Sequence, residues 1–129
     1  MDFLEQVKSY IENNVTLYKT PLSVSMLQPG NDIAIRSTPG SPSDRYVTGN
    51  KTHSFQFQIL TKHKTDKTAY DAIQTITDEL DSLTNGAIIS GDGSFILNKC
   101  EVYTLPNFIE QTEHGESIYS AMFQAEIYL

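Results

Sequence analysis

Tryptophan is absent, cysteine occurs once, and after position 67 only one basic residue remains in a chain of 129. Each scarcity excludes something. The aromatic side chains follow strand periodicity, so they read as core before they read as stacking platforms for bases. A lone cysteine cannot pair within the chain. Cys100, set in an apolar stretch, therefore reads as a small buried hydrophobe, and a reducing compartment suits it. No apolar run approaches the ~20 residues that cross a bilayer, and the N-terminus lacks the basic start and greasy stretch of a signal peptide. The expectation is a soluble protein made in the cytoplasm with no membrane partner.

Basic side chains are scarce overall: nine Lys and Arg stand against sixteen Asp and Glu, a formal charge of −7. That balance argues against a role in gripping phosphate backbones. Residues 1–67 hold eight basic and six acidic side chains, and residues 68–129 hold one and ten, so the halves carry +2 and −9.

Catalytic and metal signatures are also missing. His53, His63 and His114 share no short spacing with one another or with Cys100, so no zinc site is expected. Gly91-Asp92-Gly93 has neither a Gly-Lys-Ser run nor further acidic ligands, and reads as a turn. No serine stands in Gly-x-Ser-x-Gly. Asp78 and Asp81 lie three apart, the minimum for a carboxylate pair, but no histidine, lysine or glycine-rich loop accompanies them, and a solvated acidic face is the simpler reading. Neither an enzyme nor a cofactor is implied.

What is present is patterning for one domain. Phe3, Leu4, Val7, Tyr10 and Ile11 recur at helical spacing over residues 2–14, with Asp2 and Glu5 suiting the positive end of the helix dipole. Leu22, Val24 and Met26, then Ile33 and Ile35, alternate with polar residues around Gln28-Pro29-Gly30-Asn31, which predicts a hairpin. Residues 37–53 hold two prolines and two glycines and predict a long loop or protruding hairpin outside any central strand. Ser54 to Thr61 predicts a strand with Phe55, Phe57 and Ile59 on its one buried face.

A second helix is predicted from about Asp66 to Leu83, capped by Asp66 or Thr68 and ended by Thr84-Asn85-Gly86. Ile88-Ile89 and Phe95–Tyr103 predict another hairpin, with alternation blurred by Asn98, Lys99 and Glu101. The odd-numbered residues from Tyr119 to Leu129 are all apolar, which predicts a long closing strand packed against both helices. The sum is an α+β domain: a mostly antiparallel sheet of about five to six strands with two helices on one face.

Two groups are candidate contact residues. Pro39, Gly40, Asp44, Arg45 and Tyr46 lie in the 37–53 segment, and a long polar Pro and Gly segment in a compact domain usually serves binding. Lys62, Lys64 and Lys67, with His63, form a short basic cluster. Asp78, Glu79 and Asp81 sit near the negative end of the second helix, where acid loses stability and calls for a positive partner. In a cyclic oligomer these two charged patches become a subunit interface.

Three segments together resemble the minor capsid and tail terminator proteins of siphophages infecting Gram-positive bacteria. They are Met1-Asp2-Phe3-Leu4; Pro39-Gly40-Ser41-Pro42-Ser43-Asp44-Arg45-Tyr46; and Pro106-Asn107-Phe108-Ile109 followed by Glu113-His114-Gly115-Glu116 and a closing strand. Family members often carry Gly-Arg-Asp where this chain has Glu110-Gln111-Thr112. The resemblance implies a virion protein of the neck region, made in the host bacterium. It implies a hexameric ring that caps the tail tube protein, stops tube growth and receives the head completion or connector protein, with DNA passing through unread. The competing reading of the residues alone is an acidic binding module, such as an immunity or inhibitor protein, for which the −9 half would mimic an anionic surface.

Overall fold

The computed structural model describes residues 3–38, 44–47, 50–81, 83, 86–89 and 95–128. Helix α1 (Phe3–Asn14) forms as its spacing dictates: Phe3, Val7 and Ile11 fall on one stripe and are buried. Lys8 and Glu12 pair across one turn at 3.3 Å. Glu12 also accepts the Leu22 amide at 2.7 Å, tying the helix to the chain that enters the sheet.

The strands are β1 (Ser23–Val24), β2 (Asp32–Ser37), β3 (Asp44–Val47), β4 (Asn50–His63), β5 (Ile96–Gln111) and β6 (Ser117–Tyr128), with helix α2 (Asp66–Asp81) between β4 and β5. The sheet runs β1-β2-β4-β6-β5, and β3 pairs with β4 beside this path. Every pairing but one is antiparallel, so the α+β architecture read from the sequence is the observed one.

The exception corrects an expectation. Residues 22–35 do not form a hairpin: β1 runs parallel to β2, with Ser23 opposite Ala34 and Val24 opposite Ile35. Instead of reversing at Pro29-Gly30, the chain leaves β1 through Ser25, whose φ of 79° puts it in the left-handed region. It then loops back under the hold of Asp32, which takes the Ser23 hydroxyl at 2.6 Å and the Gln28 amide at 2.7 Å on one oxygen. An alternating pattern fixes which residues face the core, and says nothing about strand direction.

Two further corrections concern β4. It begins at Asn50, so residues 50–53 belong to a central strand, paired with β3 on one side while Thr52 and His53 meet β6 on the other. Nor is only one face of the strand buried. Phe57 and Ile59 lie in the main core beneath the helices, while Gln58, Leu60 and Lys62 on the opposite face are also covered. Ala34, Leu60 and Ile118, with Leu27 against them, make a small second cluster there. Across the same face Arg36 donates to Gln58 at 2.7 Å and Gln58 donates to Ser120 at 2.6 Å, linking β2, β4 and β6.

Both helices pack on one face. Phe3, Val7 and Ile11 of α1 and Ile73, Ile76 and Leu80 of α2 share a single core with Ile33, Ile35, Phe57, Phe123 and Ile127. Along β6 the odd residues Ala121, Phe123, Ala125 and Ile127 are fully buried and the even ones less so, which is the predicted register. Phe57 stacks on Phe123 at 5.3 Å. Leu129 and the Gly91-Asp92-Gly93 turn lie outside the described residues, as do Asp2, Thr84 and Asn85. Gly86, with φ of 82°, donates its amide to Leu97. Among the described residues, Ile89 forms an antiparallel bridge to Ile96 and the Ile88 carbonyl accepts the Leu97 amide, at the start of β5.

Strand β5 is longer and rougher than the sequence implied. It slips register against β6 at four points: between Leu97 and Lys99, Val102 and Thr104, Thr104 and Asn107, and Phe108 and Glu110. Pro106 falls within one of these slips, on an edge strand, where its missing N–H breaks no central ladder. Such irregularity is what blurred the alternation.

Candidate interaction surfaces

The predicted contact residues are distributed by the fold as follows. Pro39 and Gly40 lie outside the described residues. Asp44, Arg45 and Tyr46 belong to β3, in register with His53, Thr52 and Lys51.

The basic cluster is split. Lys62 is buried on the second face, and its ammonium donates to the Gln28 carbonyl at 2.6 Å. Lys64 is exposed, its amide bonded to the Asn31 side chain. Lys67 pairs with Asp71 one helical turn on, at 2.7 Å. This pair is exposed, so solvent screens it and it contributes little to stability.

The acid at the end of α2 finds partners inside the chain. Glu79 accepts the Tyr10 hydroxyl at 2.8 Å, joining the helices, and Asp81 accepts the Val102 amide at 2.8 Å, joining α2 to β5. Neutral N–H and O–H donors thus answer the charge that opposes the dipole, where the sequence called for a cation. Burial, helped by the Glu79 hydrogen bond, raises the Tyr10 pKa. Asp78 remains exposed and faces Gln74 at 3.5 Å.

The Glu113-His114-Gly115-Glu116 segment closes the β5–β6 hairpin. The Thr112 hydroxyl donates to Glu116 at 2.9 Å and receives the His114 and Glu116 amides, while Gly115 supplies the left-handed corner at φ of 83°. This turn and the Leu27–Gly30 loop flank an open groove of about 560 Å³, with Lys62 and Glu116 among its walls. Among the described residues no three His, Cys, Asp or Glu side chains are grouped to hold a metal ion. Cys100 is buried in the core, and burial, reinforced by Asp81 and Glu101, pushes its thiol up to about 12, so it stays protonated and unreactive.

Sequence reasoning missed an exposed run of large apolar residues. Tyr103, Leu105, Phe108 and Ile109 of β5 are 49–69% exposed. Phe108 continues a row of rings through Tyr119, at 5.6 Å, to Tyr70 on α2, at 5.5 Å. At the opposite sheet edge Val24 and Met26 are also exposed, at 41% and 64%. The available signal was Tyr103-Thr104-Leu105-Pro106: large apolar residues beside a proline, which places a strand at an edge.

The chain is thus a one-sheet α+β subunit whose distinctive surfaces are the two edges of its sheet. The family model described as bacteriophage tail terminator protein matches residues 13–129, and the chain belongs to that family; it is a structural protein of a phage tail. Among solved structures the chain is similar in fold to a chain in the virion of a native gene transfer agent particle. The TM-score is 0.65 at 14% identity, over 98% of this chain and 94% of that one. A comparison with curated proteins returned no match.

Proposed function

We propose that this protein closes the tail tube as a hexameric ring in the neck of the virion, ends polymerisation of the tube protein, and forms the tail side of the junction with the head completion or connector protein. The observation that carries this reading is the family match over residues 13–129, most of the chain. The exposed apolar edges support a protein that works by assembling.

A ring leaves a channel for DNA. The −9 of the second half supports a lining that keeps passing phosphate from sticking. The test is an amber mutation in the gene, followed by electron microscopy of lysates. The expected result is filled heads separated from tails, with tubes of uncontrolled length. Tails of normal length joined to heads would overturn the proposal.

A further inference from the structure

A strand at a sheet edge that exposes large apolar side chains is a surface awaiting a partner. Strand β5 is such an edge: among the named strands it pairs with β6, and beyond its first residues, which meet Gly86–Ile89, no other described strand covers it. Its register slips and Pro106 interrupt any continuous ladder that another strand could use, so a partner must be held through side chains.

Charge indicates which partner. Tyr103, Leu105, Phe108 and Ile109 are flanked along β5 by exposed Glu101 and Glu110, and Lys99 is the one basic residue beyond position 67. The far edge of the same sheet is the reverse case. Val24 and Met26 are exposed there, with exposed Arg36 on β2, next to Val24's partner Ile35, as the nearby cation. Apolar centres with rims of opposite sign on opposite edges of one sheet fit a heterologous contact, in which one face of each copy meets a different face of the next.

We propose that the β5 edge, centred on Leu105 and Ile109, docks a second copy of this chain at the β1 edge, centred on Val24 and Met26. The proposal rests on the ring reading above and names its interface. It replaces the contact between the lysine cluster and the α2 acids expected from the sequence, because Lys62, Lys67, Glu79 and Asp81 are engaged within their own chain.

The test uses two full-length variants: Leu105→Asp with Ile109→Asp, which spoils one edge, and Met26→Asp, which spoils the other. The three side chains replaced, Leu105, Ile109 and Met26, are all exposed, so each variant should melt as wild type does. Where aspartates disturb β5, Tyr103→Ser with Leu105→Ser takes their place. Light scattering after size separation should show wild type as a ring and each variant alone as a monomer, with association weakened by about thirtyfold or more, as for a central contact residue.

Mixed in equal amounts, the two variants retain one good edge each, and should give a one-to-one dimer that grows no further. Rings persisting in both variants would overturn this interface and leave the ring reading standing. Wild type remaining monomeric across the micromolar range would overturn both.

Discussion

The ammonium of Lys19 sits 2.7 Å from one carboxylate oxygen of Asp32, whose side chain is fully buried, while the other oxygen takes the Ser23 hydroxyl and the Gln28 amide. Burial alone would raise the Asp32 pKa. The hydrogen bonds from Lys19 and Ser23, then from the Gln28 and Ile33 amides, outweigh it and hold the carboxyl below its ordinary 3.8. A depressed carboxyl contributes stability that is fully present above its unfolded value and is lost as pH falls through the folded one. Asp32→Asn should therefore lower stability at pH 7 by about 2 kcal/mol, the order expected for charge-assisted bonds. Thermal melts should show the gap to wild type closing below about pH 4. A gap that widened in acid would assign the wrong sign.

Phe123 is fully buried and stacked on Phe57. Phe123→Ala should cost about 3 to 5 kcal/mol, and Gln124→Ala on the opposite face much less. Denaturant titration of both checks the register, and the reverse order would invert it.

Cys100, with its thiol pushed up to about 12, should resist a maleimide at pH 8 in the folded protein and label at once in denaturant. Mass spectrometry reads the difference. Labelling of the native protein at the rate of a free thiol would mean that the β5 end of the core opens.

Arg45→Ala with Tyr46→Ala should leave the thermal melt intact and impair the joining of tails to heads, if the segment containing β3 serves as a contact arm. Plaque yield from a complemented lysate measures this, and normal infectivity removes the arm from the mechanism.

The helices were legible because Phe3, Val7 and Ile11, and Ala69, Ile73, Ile76 and Leu80, repeat with the helical period and meet one core. The closing strand was legible for the matching reason at period two. Direction was not: the Leu22–Met26 pattern is the same whether the strand runs parallel or antiparallel to its neighbour, and what holds the parallel arrangement is the Asp32 carboxylate, which takes the Ser23 hydroxyl and the Gln28 amide. The charged residues were misleading for another reason. Lys62, Glu79 and Asp81 look like free surface charge in sequence, and their partners, Gln28, Tyr10 and Val102, lie 34, 69 and 21 residues away.

The slips along β5 bear on how a neighbouring copy could extend this sheet. A sheet that extends bond by bond into its neighbour carries no count of its members, which is how cross-β fibrils lengthen indefinitely. A border strand that loses step every few residues offers no template to copy. Under the proposed interface, copies meeting there fit by shape and angle, and an assembly governed by angle can close on itself and stop. On that reading the irregular strand is what would keep the assembly finite.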